Sequence, residues 1–169
     1  MEFESLVQEL VHSQTILNEL LSGISQVEAQ VKPDPQTWSF LEVVCHLYDE
    51  EREDFRQRLD LMLHRPKESW PPIRPQEWVT ARHYNEQDFA AILGKFNAER
   101  GNSLQWLKRL VSPDWEAKCE TPFGAMKPGD MLSAWVAHDN LHARQLVELR
   151  RSRILRITEP YHVQYAGDW

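Results

Sequence analysis

Apolar residues along the chain fall into four long stretches of helical period, separated by segments that break it. Phe3, Leu6, Val7, Leu10, Leu17, Leu20, Leu21 and Ile24 recur at i, i+3, i+4 and i+7 and predict a helix from about Phe3 to Ile24. Lys32-Pro33-Asp34-Pro35 breaks that pattern. A second helix is predicted from Ser39, because Ser39 and Glu42 form an S-x-x-E capping box just ahead of Phe40 and Leu41. Val43, Val44, Leu47, Phe55, Leu59 and Met62 continue its face, and Pro66 ends it. The third begins near Asn85, read as an N-cap, with Phe89, Ile92, Leu93, Phe96, Leu104, Leu107 and Val111 as its stripe. Gly94 and Gly101 weaken it slightly, and Ser112-Pro113 stops it. The fourth runs from about Gly129 to Arg151. Its apolar face is Leu132, Trp135, Val136, Leu146 and Leu149, and its basic end (Arg144, Arg150, Arg151) suits the helix dipole.

Strand signals are nearly absent, and no internal repeat stands out. The pattern therefore predicts an all-α chain, one four-helix-bundle domain over residues 1–169. The first link is short, about 14 residues, whereas the link from His64 to Tyr84 is about 21 residues, beyond the usual 2–8 of a bundle turn. That second link carries four of the ten prolines, plus Trp70 and Trp78. At ~3.3 Å per extended residue it can return along a helix of ~35 Å. Helices two and three are thus expected to run parallel, an up-down-down-up order with a long crossover. Thr121-Pro122-Phe123-Gly124 reads as a compact turn, and Tyr161, Tyr165 and Trp169 make a tail aromatic enough to dock on the bundle.

Bulk composition narrows the function classes. The net charge of −7 argues against nucleic acid as a partner, which calls for a basic footprint. No apolar stretch approaches the ~18 residues of a membrane span, so no membrane role is expected. The N-terminal residues lack the basic and apolar regions of a signal peptide. Two cysteines, Cys45 and Cys119, make no disulfide framework, and a reducing cytoplasm is the simplest compartment. Seven tryptophans are many for this length and point to a large core or an aromatic pocket wall.

Candidate chemistry rests on histidine spacing. His138 and His142 lie at i and i+4, on one helix face, where two imidazoles can share a metal ion. With seven histidines in 169 residues, chance supplies roughly 0.3 such pairs, so the pair alone says little. His46, on the second amphipathic helix, changes that. Two ligands from one helix and one from another give a three-nitrogen site with a position left open for water or substrate. Zinc or nickel suits neutral imidazole best, with iron or manganese as alternatives.

The run from Trp38 to Glu51, with His46 in Val44-Cys45-His46-Leu47-Tyr48-Asp49-Glu50, resembles the second-helix signature of the DinB/YfiT-like superfamily. Thr121-Pro122-Phe123-Gly124, Asp130-Met131-Leu132 and His138-Asp139-Asn140-Leu141-His142-Ala143-Arg144-Gln145-Leu146 resemble its fourth-helix signature. The ending Val163-Gln164-Tyr165-Ala166-Gly167-Asp168-Trp169 is similar to tails in one subgroup. The resemblance implies an up-down-down-up four-helix bundle and a divalent metal held by His46, His138 and His142. It also implies a homodimer. For activity it implies a metal-dependent enzyme that activates either a low-molecular-weight thiol, as an S-transferase, or water, as a hydrolase, toward a small-molecule substrate. The rival class is a non-catalytic metal-binding or stress-response protein built on the same bundle.

Other residues carry less. Glu50, one turn after His46, is a candidate general base or hydrogen-bond acceptor for that imidazole, although a solvated acidic cluster over 49–54 explains it equally well. Asp139 lies about 100° from His138 around the helix and is expected to face a neighbouring helix or solvent. Gln145 can point toward the site. Cys45 reads as a buried inert thiol and Cys119 as incidental. His12, His64, His83 and His162 have no partner at ligand spacing, and Trp38 and Trp135 are candidate pocket walls.

Overall fold

In a computed structural model, which describes residues 2–169, four long helical rods pack side by side. Helix α1 (Phe3–Leu21) buries Val7, Leu10, Leu17 and Leu21. A short helix, α2 (Gln26–Ala29), fills part of the first link and is capped by the Ser25 side chain. Helix α3 (Phe40–Glu50) begins at the expected capping box: Glu42 N–H donates to Ser39 Oγ at 3.1 Å, and Ser39 N–H donates to Glu42 Oε2 at 2.8 Å. Helix α3 runs through a π turn (Glu51–Phe55) into α4 (Arg56–His64), so the second rod is unbroken but locally overfull. Ser39 Oγ also donates to Asn85 at 2.6 Å. Ser39→Ala removes both bonds, and a loss of about 1–2 kcal/mol in urea unfolding is expected; an unchanged midpoint would show the cap to be dispensable.

Several boundaries differ from the sequence reading: the first helix ends at Leu21 rather than Ile24, the last runs to Ile157 rather than Arg151, and the third is shifted at both ends. The third rod, α6 (Phe89–Lys108), is capped by Asp88, whose Oδ1 accepts from Ala91 N–H at 2.7 Å. Asn85 instead sits in a 3-10 turn (Tyr84–Glu86), where its amide donates to the Gln30 carbonyl at 3.0 Å. Its contacts are tertiary, which no local rule anticipates. Val111 falls beyond α6 and is exposed. The 64–84 link is partly helical, with α5 (Pro75–Ala81) opened by a proline in its first turn. A small antiparallel hairpin, β1 (Cys119–Thr121) with β2 (Gly124–Met126), leads into α7 (Pro128–Ile157). Gly124, at φ +99°, supplies the positive φ of that turn. No helix among the described residues is long and apolar enough to cross a membrane.

The interior has three storeys. One apolar cluster joins Leu17, Leu21, Phe40, Val44, Leu47, Phe96, Leu146 and Leu149. A second joins Val7, Leu10, Phe55, Leu59, Leu107, Leu132 and Trp135. Between them every long rod turns polar while staying buried: Ser13 on α1, Glu50, Glu51 and Asp54 on the second rod, Arg100 and Ser103 on α6, Asp139 and His142 on α7. Buried polar groups need partners to be tolerated. This belt is where the chemistry of the chain is concentrated.

Candidate metal centre

Helix α3 delivers His46 to the belt and α7 delivers His138 and His142. Their Nε2 atoms converge: His46 to His138 at 3.3 Å and His142 to His138 at 3.1 Å. One ligand atom from each of the three lies within 4.8 Å of the others. A tetrahedral ion with bonds of about 2.0–2.1 Å spaces its ligand nitrogens roughly 3.3 Å apart, so the cluster is already near a coordinating geometry.

The donor chemistry also fits. Burial drives the His46 imidazole down to about 2, with His142 and His138 adding to the effect. Burial likewise takes His138 down to about 3, helped by His142 and by Arg100, and lowers His142. All three imidazoles are held neutral, the form that binds metal. His142 Nδ1 lies 2.8 Å from Gln145 Oε1. An amide oxygen only accepts, so the proton sits on Nδ1 and the Nε2 lone pair is free to coordinate. Gln145 therefore does point at the site. Aromatic rings frame the cluster. Trp38 lies 4.9 Å from His46 and parallel to His142, and Phe55 lies 4.9 Å from His138 while stacking on Trp135. Trp135 thus supports the site from beneath and does not line it.

The cluster forms one wall of a cleft of about 790 Å³, whose lining includes Trp38, Glu50, Gln76, Arg144 and Gln145. Glu50 is buried, and its Oε1 lies 3.8 Å from His46 Nδ1, beyond hydrogen-bond length. Neither atom has another hydrogen-bond partner among the described residues. Burial, then the neighbouring Asp54, raises the Glu50 carboxyl well above the usual carboxylate range. A π turn winds fewer degrees per residue, so Asp54 and Arg58 stay in line with Glu50 rather than drifting around the rod. Arg58 Nε approaches Asp54 Oδ1 at 2.8 Å and its guanidinium lies over Trp70.

The reading of 49–54 as a solvated acidic cluster does not describe this segment. Asp49 accepts from the Tyr84 hydroxyl at 2.6 Å and pairs with Arg82 and Arg52; Glu53 pairs with Arg82. Glu51 and Asp139 both grip Arg100. Sequence reasoning missed Arg100. Its signal was present, since Arg100 falls on the buried register of α6 between Phe96 and Leu107, where an arginine requires buried acids. Cys45 and Cys119 are buried and face the carbonyls of Tyr84 and Met62, away from the cleft. His12, His64 and His83 each pair with a nearby surface acid, away from the cleft.

A helical bundle with three convergent imidazoles on an open cleft defines a class of candidate metal proteins. Comparisons with known proteins show the family. The sequence model of the DinB superfamily matches residues 9–146, and the chain belongs to that superfamily. Among solved structures, it is similar to YfiT from Bacillus subtilis, with a TM-score of 0.77 at 18% identity, covering 89% of this chain and 86% of that one. YfiT is described as a probable metal-dependent hydrolase with an unusual four-helix bundle topology. No curated protein matches the chain in sequence.

Proposed function

We propose that this chain is a divalent-metal-dependent enzyme acting on a small molecule, with His46, His138 and His142 as the metal ligands. The observation that carries the reading is the convergence of three neutral imidazole nitrogens on the wall of an open cleft rather than inside a sealed core. A structural metal is enclosed by protein ligands, whereas a catalytic one keeps a position facing substrate. A bound ion there supplies Lewis acidity and brings the pKa of water, or of a thiol, toward neutrality. The residues of the chain do the rest. Gln145 fixes the His142 tautomer. Glu50, on the cleft wall beside His46 and raised well above the usual carboxylate range, is the group placed to hold a proton and exchange it with substrate. Trp38 forms an apolar wall that excludes water from one side.

We take water as the nucleophile, in line with the similarity to YfiT, described as a probable metal-dependent hydrolase; both thiols of the chain itself face away from the cleft. An S-transferase would need a thiol brought from outside. The up-down-down-up order is part of the same proposal. It is supported by Arg150 of α7 bonding carbonyls at the end of α1, by Asn97 of α6 meeting Gln14 and Asn18, and by Arg56 of α4 meeting Ser103 of α6.

The test is to load tag-free protein with zinc, nickel, iron or manganese and assay a panel of esters, amides and electrophiles, with and without small thiols. Metal-dependent turnover in water alone is expected. Turnover only when thiol is present moves the assignment to the S-transferase. Stoichiometric metal without either activity returns the chain to the non-catalytic class.

A further inference from the structure

Arg100 is 1% exposed, as are Glu51 and Asp139. All five guanidinium N–H groups have acceptors. Nε and Nη2 donate to the two Glu51 carboxylate oxygens at 2.8 and 2.9 Å. Nη1 and Nη2 donate to the two Asp139 oxygens at 2.7 and 2.9 Å, and Nη1 also reaches the Leu10 carbonyl at 3.1 Å. The Trp135 indole donates to Glu51 Oε2 at 3.1 Å. One side chain on α6 thereby ties α1, the π turn and α7 together at the height of the polar belt.

What Arg100 joins is specific. Glu51 opens the π turn that directly follows α3, the helix carrying His46. Asp139 is the neighbour of His138 on α7. The network therefore bridges the two halves of the histidine cluster, which arrive on different helices. Apolar packing above and below the belt is non-directional and carries no bond that fixes the rotation of one helix against the other. A coordinating set must be held within about 0.5 Å of its productive geometry. A doubly bidentate guanidinium has a fixed planar fork and restricts both sliding and rotation of its partners.

We propose that Arg100, with Glu51 and Asp139, is a positioning device that sets the spacing between His46 and the His138/His142 pair. The inference rests on the metal reading given under Proposed function. A fold staple and a positioning device make different predictions, because buried ion networks replaced whole by apolar residues of similar size commonly keep or raise stability. Such a replacement removes the fork together with both of the charges it pairs.

The variant is therefore Glu51→Leu/Arg100→Met/Asp139→Leu, compared with the wild-type chain in the presence of cobalt(II) and zinc. Cooperative melting and helical circular dichroism are expected to survive. Zinc affinity, measured by chelator competition, is expected to fall about 10–100-fold, and the visible cobalt spectrum to change in band position and intensity. A folded triple variant with wild-type affinity and spectrum overturns the proposal. Arg100→Lys covers the case in which the triple variant does not fold: it keeps the charge, loses the fork, and is expected to shift the spectrum in the same way with a smaller loss of affinity. An unchanged spectrum and affinity in Arg100→Lys equally overturn it. Wild-type protein that takes up neither cobalt nor zinc overturns the metal reading itself, and this inference with it.

Discussion

Arg100→Met alone is expected to lower stability by about 3–5 kcal/mol, because it leaves Glu51 and Asp139 buried without their counter-charge. For a chain of this length that is a drop of roughly 6–20 °C in Tm. Methionine matches much of the volume of the arginine stem, so the loss comes from the orphaned carboxylates rather than from a cavity. The contrast with the whole-network replacement is the informative part. The single variant removes one partner and should be far less stable than the triple variant, which removes all three. Thermal and urea melts of both, without added metal, measure the difference. A single variant within about 1 kcal/mol of wild type would mean that the two carboxylates find other partners, and the central role given to Arg100 would fail.

His138→Ala is expected to abolish stoichiometric metal binding, since His138 Nε2 is the atom that both other imidazoles approach, at 3.3 and 3.1 Å. A metal present at a hundredfold excess over its Kd stabilises a chain by about 2.7 kcal/mol, or roughly 5–11 °C here. The wild-type chain should show such a rise on zinc addition, and a chelator should reverse it. In His138→Ala the rise should vanish. The variant itself should fold, because His138 is only partly buried and the apolar clusters above and below the belt keep their own members. An equal zinc-dependent rise in His138→Ala, or stoichiometric metal in the His46→Ala/His138→Ala/His142→Ala variant, would falsify the three-histidine assignment.

Much of this was legible along the chain because it depends on local rules. The Ser39/Glu42 capping box is a four-residue signal, and it forms as read. The i, i+4 spacing of His138 and His142 places both on one face wherever a helix forms, and the stripe around them ensures that it does. Gln145 three residues on could be suspected for the same reason. Other features escaped. Asn85 is a good N-cap residue by type, yet it is used to tie the first link to α3, and Asp88 caps α6 instead. The hairpin at 119–126 is too short to carry an alternating pattern. The acidic run at 49–54 looked solvated because its basic partners, Arg82 and Arg100, come from sequence positions far away.

The amino-acid pattern by itself determined the four amphipathic rods, the breaks between them and the presence of a histidine pair on one face, all consequences of periodicity and side-chain type. The tertiary structure decided what those residues do together. It brought His46 to within hydrogen-bond distance of His138, buried the imidazoles so that they stay neutral, opened a cleft on one side, and aligned a polar belt across four helices with Arg100 at its centre. Those outcomes depend on which helices are neighbours and at what height they pack. That is set by long-range burial and charge pairing, which no local spacing encodes.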